Sequence, residues 1–286
     1  MSGAVVAQPT DLADRASVAA RFTLRTAPHG LRRVSLFASR LVTFAIVELQ
    51  KLSHDRTELV TRAIQPALWL VIFGETFSRS RVMNTGDVPY LSFLAPGIIA
   101  QSALFISIFY GIQIIWDRDA GILNKLLVTP TPRAALIAGK AFAAGIRSIA
   151  QVLIIVGLCL LLRIRISFHP LHILGATAIV FLGAAFFSCL SMMLAGVMRT
   201  RDRMMGIGQA ITMPLFFASN ALYSVDLMPP WLQALSRVNP LSYQVSALRG
   251  LLIGTATSLP TDFAVLAAMA VIGIWAAAAV LPRLVQ

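Results

Sequence analysis

A short charged segment, residues 116–133, lies between two long apolar stretches and holds the side chains best suited to contact another protein. Its first charged residues are Asp117, Arg118 and Asp119, and Gly121 follows them. Acidic side chains stabilise the N-terminus of a helix, where the helix dipole favours negative charge. The segment therefore predicts a short helix that starts near Asp117 and docks against a partner; an ordinary solvated loop is the alternative interpretation.

The same segment has an apolar face and a defined end. Apolar residues recur at helical spacing and share one side of the predicted helix; these are Ile122, Leu123, Leu126 and Leu127. Pro130 then stops the helix, because proline lacks an amide hydrogen and disfavours helical geometry in the residue before it. Nothing else in the chain obviously covers these leucines, so we expect the face to be open to a partner.

Three further charges lie inside apolar stretches: Arg62, Glu75 and Arg147. A charge in the interior of a bilayer is costly, and such residues often serve a function. Arg147, about two turns into its stretch, and Glu75 are candidates to line a polar path. The alternative is that each side chain reaches the lipid headgroups or forms a structural pair.

Residues for catalysis, metal binding or phosphate binding are scarce. His169 and His172 have no Cys, Asp or Glu nearby, so no metal site is predicted. Gly139 and Lys140 come nearest to a phosphate-binding loop, but the first glycine and the Ser or Thr after the lysine are missing. Lys140 is therefore interpreted as a cytosolic anchor. A membrane-embedded enzyme such as a lipid transferase needs convergent acids or metal ligands, and no catalytic residue is predicted.

Composition indicates a membrane protein. The 286 residues are 57% hydrophobic and 13% charged, with a mean hydropathy of +0.78, whereas soluble proteins carry about a quarter charged residues. The net charge of +12 does not indicate nucleic acid, because the basic residues punctuate apolar runs instead of clustering on one wettable face. Cys159 and Cys189 lie within apolar runs and predict no disulfide.

The fold class predicted is an all-α polytopic membrane protein with six transmembrane helices, each reaching the about 20 apolar residues that a crossing needs. These spans cover residues 59–78, 90–115, 141–162, 171–198, 204–223 and 263–281. Residues 1–32 have no apolar core and predict a disordered cytosolic tail, so the membrane domain is residues 33–286. Residues 33–54 mix charged and apolar positions, which favours an amphipathic helix in the membrane interface; the end of the first span is the alternative interpretation.

Orientation follows from the distribution of Lys and Arg, which favour the cytosolic side. Of the 24 Lys and Arg residues, six fall in outer segments, two within spans and sixteen in inner segments. The outer six are Arg79, Arg81, Arg163, Arg165, Arg237 and Arg249. Both termini and the segment 116–133 are then cytosolic. Residues 226–255 lie outside and are too apolar for a loop yet too interrupted for a span, which predicts a re-entrant helix pair.

Three stretches resemble one known family: residues 117–130 with Gly139-Lys140, residues 213–223, and residues 230–249 with Asn239-Pro240. Together they resemble the membrane subunit of bacterial ATP-binding-cassette type-two exporters, a group that includes daunorubicin-resistance, nodulation-factor and polysaccharide exporters. The sequence departs from that family in two places. The family usually has Glu where Asp117 or Asp119 stands, and many members have glycine where Asn220 stands.

The resemblance implies a transport subunit that forms a dimer with a second permease subunit, sits among membrane lipids and pairs with separate ATPase subunits. It implies no cofactor in this chain, since the partner ATPase would bind the ATP and magnesium. The residues implied in coupling to the ATPase are Asp117, Arg118, Asp119, Gly121, Leu123, Leu126, Leu127 and Pro130. The implied exit gate includes Asn239, Pro240 and Tyr243, and Arg147, Glu75 and Asn220 are the candidates for the translocation path.

The cargo expected from this resemblance is a lipophilic or amphipathic compound, such as a drug, a lipid or a secondary metabolite, exported across the bacterial cytoplasmic membrane. A path for sugars needs aromatic and polar side chains, and the spans offer few beyond Trp69, Tyr110 and Gln209. An exporter of polysaccharide or lipid-linked glycan remains the alternative.

Overall fold

The computed structural model describes residues 56–80, 88–121, 133–198 and 200–284, together with the single positions 46, 50 and 123. These ranges contain eight α-helices and no strand. The helices are α1 Arg56–Ser80, α2 Tyr90–Asp119, α3 Arg133–Leu161, α4 Pro170–Val197, α5 Arg201–Phe217, α6 Pro230–Val238, α7 Pro240–Ile253 and α8 Leu259–Val280. The predicted tail lies outside the described residues, as does the predicted interfacial helix apart from two positions.

Four of these helices are long and apolar enough to cross a membrane: α2, α3, α4 and α8. The apolar part of α1 is shorter, Ile64–Phe77, and α5 has 17 residues and begins with the charged sequence Arg201-Asp202-Arg203. The prediction of an all-helical membrane protein is therefore supported. The count of six spans stays a prediction.

The helix α2 lies at the centre of the bundle and packs against α1, α3, α4, α5 and α7. Most of its 30 residues are buried, as expected for a helix that is apolar on all sides. Small residues let the backbones of neighbouring helices approach closely. Helices inside a membrane pack in this way, because no hydrophobic driving force acts between them. A Cβ atom on Gly97 would lie 2.4 Å from the carbonyl oxygen of Ala221.

Polar contacts align α2 and α3 side by side in opposite directions. The hydroxyl oxygens of Ser107 and Ser148 are 3.2 Å apart, and further along the pair Lys140 contacts Asp117. As residue numbers rise along α2, those of their partners on α3 fall. The helix α3 begins at Arg133, eight residues before the predicted start at 141, because Lys140 interrupts the apolar run but not the helix.

The chain turns after α5 and then forms two short helices, α6 and α7, that meet at Asn239. Residues 218–221 form turns, and Val225–Leu227 forms one turn of 3-10 helix. The helix α7 packs against α2, α4 and α8 and is largely buried. The predicted helix pair within residues 226–255 is thus present, while its depth in a membrane stays a prediction.

Candidate functional site

The charged residues predicted to start a short helix lie instead in the last turn of α2. This helix continues through Trp116 to Asp119, so the prediction of a helix N-terminus at Asp117 is wrong. A helix dipole disfavours negative charge at a C-terminus, and neighbouring cations compensate here. Lys140 Nζ donates a hydrogen bond to Asp117 Oδ2, and the guanidinium of Arg118 lies 3.0 Å from Asp119 Oδ1.

Gly121 ends α2 with a left-handed turn. Its φ angle is +69°, a conformation that glycine adopts without the steric penalty of a side chain. Its amide donates to the carbonyl oxygen of Arg118 at 2.9 Å, and the amide of Ala120 donates to that of Trp116 at the same distance. The chain therefore leaves the axis of α2 here, instead of continuing through Gly121 as a helix.

Leu123 is completely buried within the chain's own core. It belongs to an apolar cluster with Ile115, Leu136 and Ile137, so the expectation that nothing in the chain covers it is wrong. Leu123 is therefore not part of a face that is open to a partner. Three other residues predicted to contact a partner, Leu126, Leu127 and Pro130, lie outside the described residues.

Asn239 holds the corner between α6 and α7. Its side-chain Oδ1 accepts a hydrogen bond from the amide of Leu241 at 3.0 Å and so caps α7. Its Nδ2 donates to the carbonyl oxygen of Leu215 at 2.7 Å, which ties the corner to α5. Pro240 follows at the first position of α7, where its missing amide hydrogen costs nothing. The hydroxyl of Tyr243 donates to the carbonyl oxygen of Arg237 at 2.6 Å.

The residues predicted as an exit gate therefore meet at one corner, and the role of that corner as a gate stays a prediction. The structure explains why this sequence turns there. Asn239 caps α7 and also bonds to α5. Pro240 starts α7, and the Tyr243 hydroxyl donates back to α6.

Arg249, which the charge distribution counted among the outer segments, is a buried cation in the structure. Its Nε donates to the carbonyl oxygen of Phe93 at 3.3 Å, and its Nη2 donates to that of Ala221 at 3.1 Å. Its guanidinium carbon also lies 3.5 Å from the centre of the Phe93 ring, a cation–π contact. One sequence signal could have found it, because Arg249 is the only charged residue between positions 238 and 261.

The three candidates for a translocation path have different surroundings. The guanidinium of Arg147 lies 5.0 Å from the centre of the Tyr110 ring on α2. Asn220 donates through Nδ2 to the hydroxyl oxygen of Ser246 on α7 at 2.9 Å, and Glu75 is exposed on α1. A shared path that joins them stays a prediction.

Three buried glutamines were missed because an uncharged side chain does not interrupt an apolar run. Both amide atoms of Gln101, Gln151 and Gln244 lack a hydrogen-bond partner among the described residues. Buried polar groups are normally paired, so unpaired amides within a helical bundle mark places where a ligand or water can bind.

Gly139 and Lys140 lie inside α3, not in a loop before a helix. A phosphate-binding loop presents free backbone amides from a glycine-rich turn, and this helical backbone cannot do so. Lys140 is instead paired with Asp117, which agrees with its interpretation as an anchor.

The region of this chain that matches known proteins includes both ends of α2. The family model for ABC-2 type transporters matches residues 40–253. The chain belongs to the ABC-2 type transporter family. The matched region begins before α1 and ends at the last residue of α7, so it includes the charged end of α2, the α6–α7 corner and Arg249.

Three relatives illustrate the range of this ABC-2 family. A protein from Cyanophora paradoxa described as transport permease ycf38 is 33% identical over 195 residues, 67% of this chain and 66% of the relative. The daunorubicin resistance ABC transporter permease protein DrrB1 of Streptomyces coeruleorubidus is 27% identical, covering 71% of each chain. The inner membrane transport permease YadH of Escherichia coli K12 is 27% identical, covering 73% of this chain and 80% of the relative. The chain thus spans just under two thirds of the ycf38 relative.

Proposed function

We propose that this chain is the permease subunit of an ATP-driven exporter that moves a lipophilic or amphipathic compound out across a cytoplasmic membrane. The observation that carries this proposal is the family match over residues 40–253. The names of two relatives, a daunorubicin resistance permease and an inner membrane permease, support a drug-like cargo and a bacterial inner membrane.

The chain itself is not an enzyme in this proposal, and a separate ATP-binding-cassette subunit binds and hydrolyses ATP. The Asp117 end of α2 is the contact for that partner. Trp116 is 47% exposed there, and Arg118 and Asp119 form an ion pair that is partly open to water. The residues that follow Leu123 supply the remaining contacts, Leu126, Leu127 and Pro130.

In the same proposal, α1 and α5 complete six spans, both termini are cytosolic, and α6 and α7 form a re-entrant pair on the outer side. A second permease subunit completes the transport path. The sixteen-to-six distribution of Lys and Arg supports this orientation. We expect a cysteine at Ser80 to react with an impermeant thiol reagent from outside the cell, and a cysteine at Asn124 not to react. The reverse pattern would overturn the orientation.

The structure gives a reason to prefer a lipophilic cargo to a glycan. Sugars stack on open aromatic faces, but the Trp69 ring stacks on Phe73 with centroids 4.5 Å apart. Its edge-on neighbours are Phe216 at 5.6 Å and Phe217 at 6.1 Å. One face of Trp69, a candidate for sugar stacking, is thus already occupied by a protein ring.

The test is ATP-dependent transport by the chain reconstituted with its ATPase. Daunorubicin is a suitable first probe, because a relative is named for resistance to it. Leu126→Asp should abolish both co-purification with the ATPase and transport, since it places a charge on the proposed apolar contact. Leu126→Met, which keeps a similar volume and stays apolar, is the matched control and should retain both.

Normal abundance of Leu126→Asp in the membrane is required for this comparison, and we expect it because the residue lies outside the spans. Retention of ATPase binding and full transport by Leu126→Asp would show that the segment is a passive loop. A wild-type pair that moves no amphipathic probe but moves a lipid-linked glycan would favour the alternative cargo.

A further inference from the structure

A cavity of about 270 Å³ lies between α1, α2 and α3, apart from both ends of α2. Its floor is formed by Ser102 of α2 and Gln151 of α3, while Thr61 and Gln65 of α1 lie at its exposed rim. Among the side chains that the structure describes, the eight that line the cavity carry no charge. The described lining is therefore neutral, and the cavity opens beside α1.

The floor of the cavity lies deep within the helices. Gln151 is ten residues before the end of α3, which corresponds to about 15 Å along a helix. Ser102 is twelve residues after the start of α2, or about 18 Å. The hydrocarbon core of a bilayer is about 30 Å thick, so helices that cross it would place this recess near its middle.

Gln151 supplies the observation that points to a ligand. Its side chain is only 1% exposed, and neither its amide oxygen nor its amide nitrogen has a hydrogen-bond partner among the described residues. A buried carboxamide leaves one acceptor and two N–H donors to be satisfied. Ser102 donates its hydroxyl hydrogen to the carbonyl oxygen of Ile98 at 2.8 Å, so its oxygen can accept another bond.

Aromatic rings form one wall above this polar floor. Phe105 and Phe109 have ring centroids 6.4 Å apart and planes that differ by 18°. The two rings are stacked on each other, and another flat ring can pack against such a pair. The cavity thus combines an aromatic wall with a single amide at its floor.

We propose that this cavity binds an uncharged, flat ring compound that carries a lactam or amide edge. Both amide atoms of Gln151 are closed off in the conformation described, so the carboxamide would have to turn toward the recess to pair. Its oxygen would then accept from the N–H of such an edge, and its nitrogen would donate to the carbonyl. The volume lies just below the 300–1,000 Å³ of typical small-molecule sites, so it suits a compound of about two fused rings or one end of a larger molecule. As a subsite for cargo, this cavity rests on the proposed export function.

Water is the competing occupant. At about 30 Å³ for each molecule, the cavity has room for roughly nine waters, and one of them could pair with Gln151. The two occupants differ in a measurable way, because only a ligand site discriminates between compounds by their hydrogen-bonding edge. A site built to pair with a polar group rejects an analogue that lacks the group.

The test uses the purified full-length chain in detergent, without an ATPase. Binding of tritiated 2-quinolone, a two-ring lactam, is measured by scintillation proximity. Its matched analogue is 2-methoxyquinoline, which has the same rings but no N–H and is measured by competition. We expect saturable binding of 2-quinolone and at least tenfold weaker binding of 2-methoxyquinoline.

Two variants locate the binding. Gln151→Leu removes the amide and keeps a similar size, and we expect it to weaken 2-quinolone binding at least tenfold. Gln209→Leu makes the same change at an exposed glutamine on α5, and we expect binding as in the wild type. Both variants are first compared with the wild type by thermal unfolding.

Absence of saturable 2-quinolone binding by the wild type would show that the cavity holds only water. Equal binding of the two probes by the wild type would also overturn the proposal, and this comparison needs no variant. Binding by folded Gln151→Leu as strong as in the wild type would show that the amide is not the contact. Failure of ATP-dependent export with binding intact would overturn the proposed function alone.

Discussion

The two ends of α2 are held by different chemistry. At the Asp117 end, Lys140 pairs with Asp117, and their side chains are 13% and 21% exposed. At the other end, the buried Arg249 donates to the backbone carbonyls of Phe93 and Ala221. The first end is held by charges that water can reach, and the second by donors that are shielded from water.

This difference indicates which end can exchange partners. An ion pair near water contributes little stability and can be replaced by other charges at small cost. A buried carbonyl that loses its donor has no water to replace it, which costs about 1–3 kcal/mol. The Asp117 end is therefore suited to the exchangeable partner contact that we propose for it, while Arg249 fixes the turn after α5 to the start of α2.

The largest effect is expected from Arg249→Leu. The change leaves the carbonyl oxygen of Ala221 without its donor in a buried site, at about 1–3 kcal/mol. It also removes the Arg249 hydrogen bond to the carbonyl of Phe93, which lies inside α2. The thermal unfolding midpoint in detergent should fall clearly. Arg249→Lys keeps the charge but cannot match the fork geometry of arginine. Its unfolding midpoint should therefore lie between those of the wild type and Arg249→Leu. Wild-type stability of Arg249→Leu would contradict the comparison.

A smaller loss is expected from Asn239→Ala, which removes the cap of α7 and the donor to the Leu215 carbonyl. Loss of a cap alone costs about 1 kcal/mol. Asn239→Ser keeps a side-chain oxygen that can cap α7 but lacks the amide donor to Leu215, and it adds no charge at this buried site. Its unfolding midpoint should lie above that of Asn239→Ala, and equal midpoints would show that the cap is unimportant.

The smallest effect is expected at the charged end. Lys140→Met should change the free energy of unfolding by about 1 kcal/mol or less, because the pair is partly exposed. Asp117→Asn combined with Lys140→Met forms a double-mutant cycle, and the coupling should weaken further as salt is added. A coupling energy as large as the loss in Arg249→Leu would remove the distinction between the two ends.

The sequence predicted the helical membrane class and the helix pair at Asn239, since apolar run length and Asn-Pro are local signals. It failed where helices continue through charge. Asp117 and Lys140 interrupt apolar runs but pair with each other within helical geometry, so α2 ends later and α3 begins earlier than hydropathy indicates. A pairing between positions 23 residues apart cannot be read from either stretch alone.

The other differences between the sequence predictions and the structure arise from burial. Leu123 is buried in an apolar cluster, and Arg249 is enclosed by the start of α2 and the turn after α5; both depend on tertiary packing. Gln151 gives no sequence signal, because glutamine inside an apolar run costs little in a hydropathy count.

The central claim is that an ATPase contacts the Asp117 end of α2 and not the Asn239 end. Two exposed tryptophans test it directly: Trp116 beside Asp117, 47% exposed, and Trp231 on α6, 69% exposed. Each is replaced in turn by photo-reactive benzoylphenylalanine, and membranes that contain the partner ATPase are irradiated. We predict a crosslink to the ATPase from position 116 and none from position 231. A crosslink from position 231 alone, or from neither position in an active complex, would contradict the account.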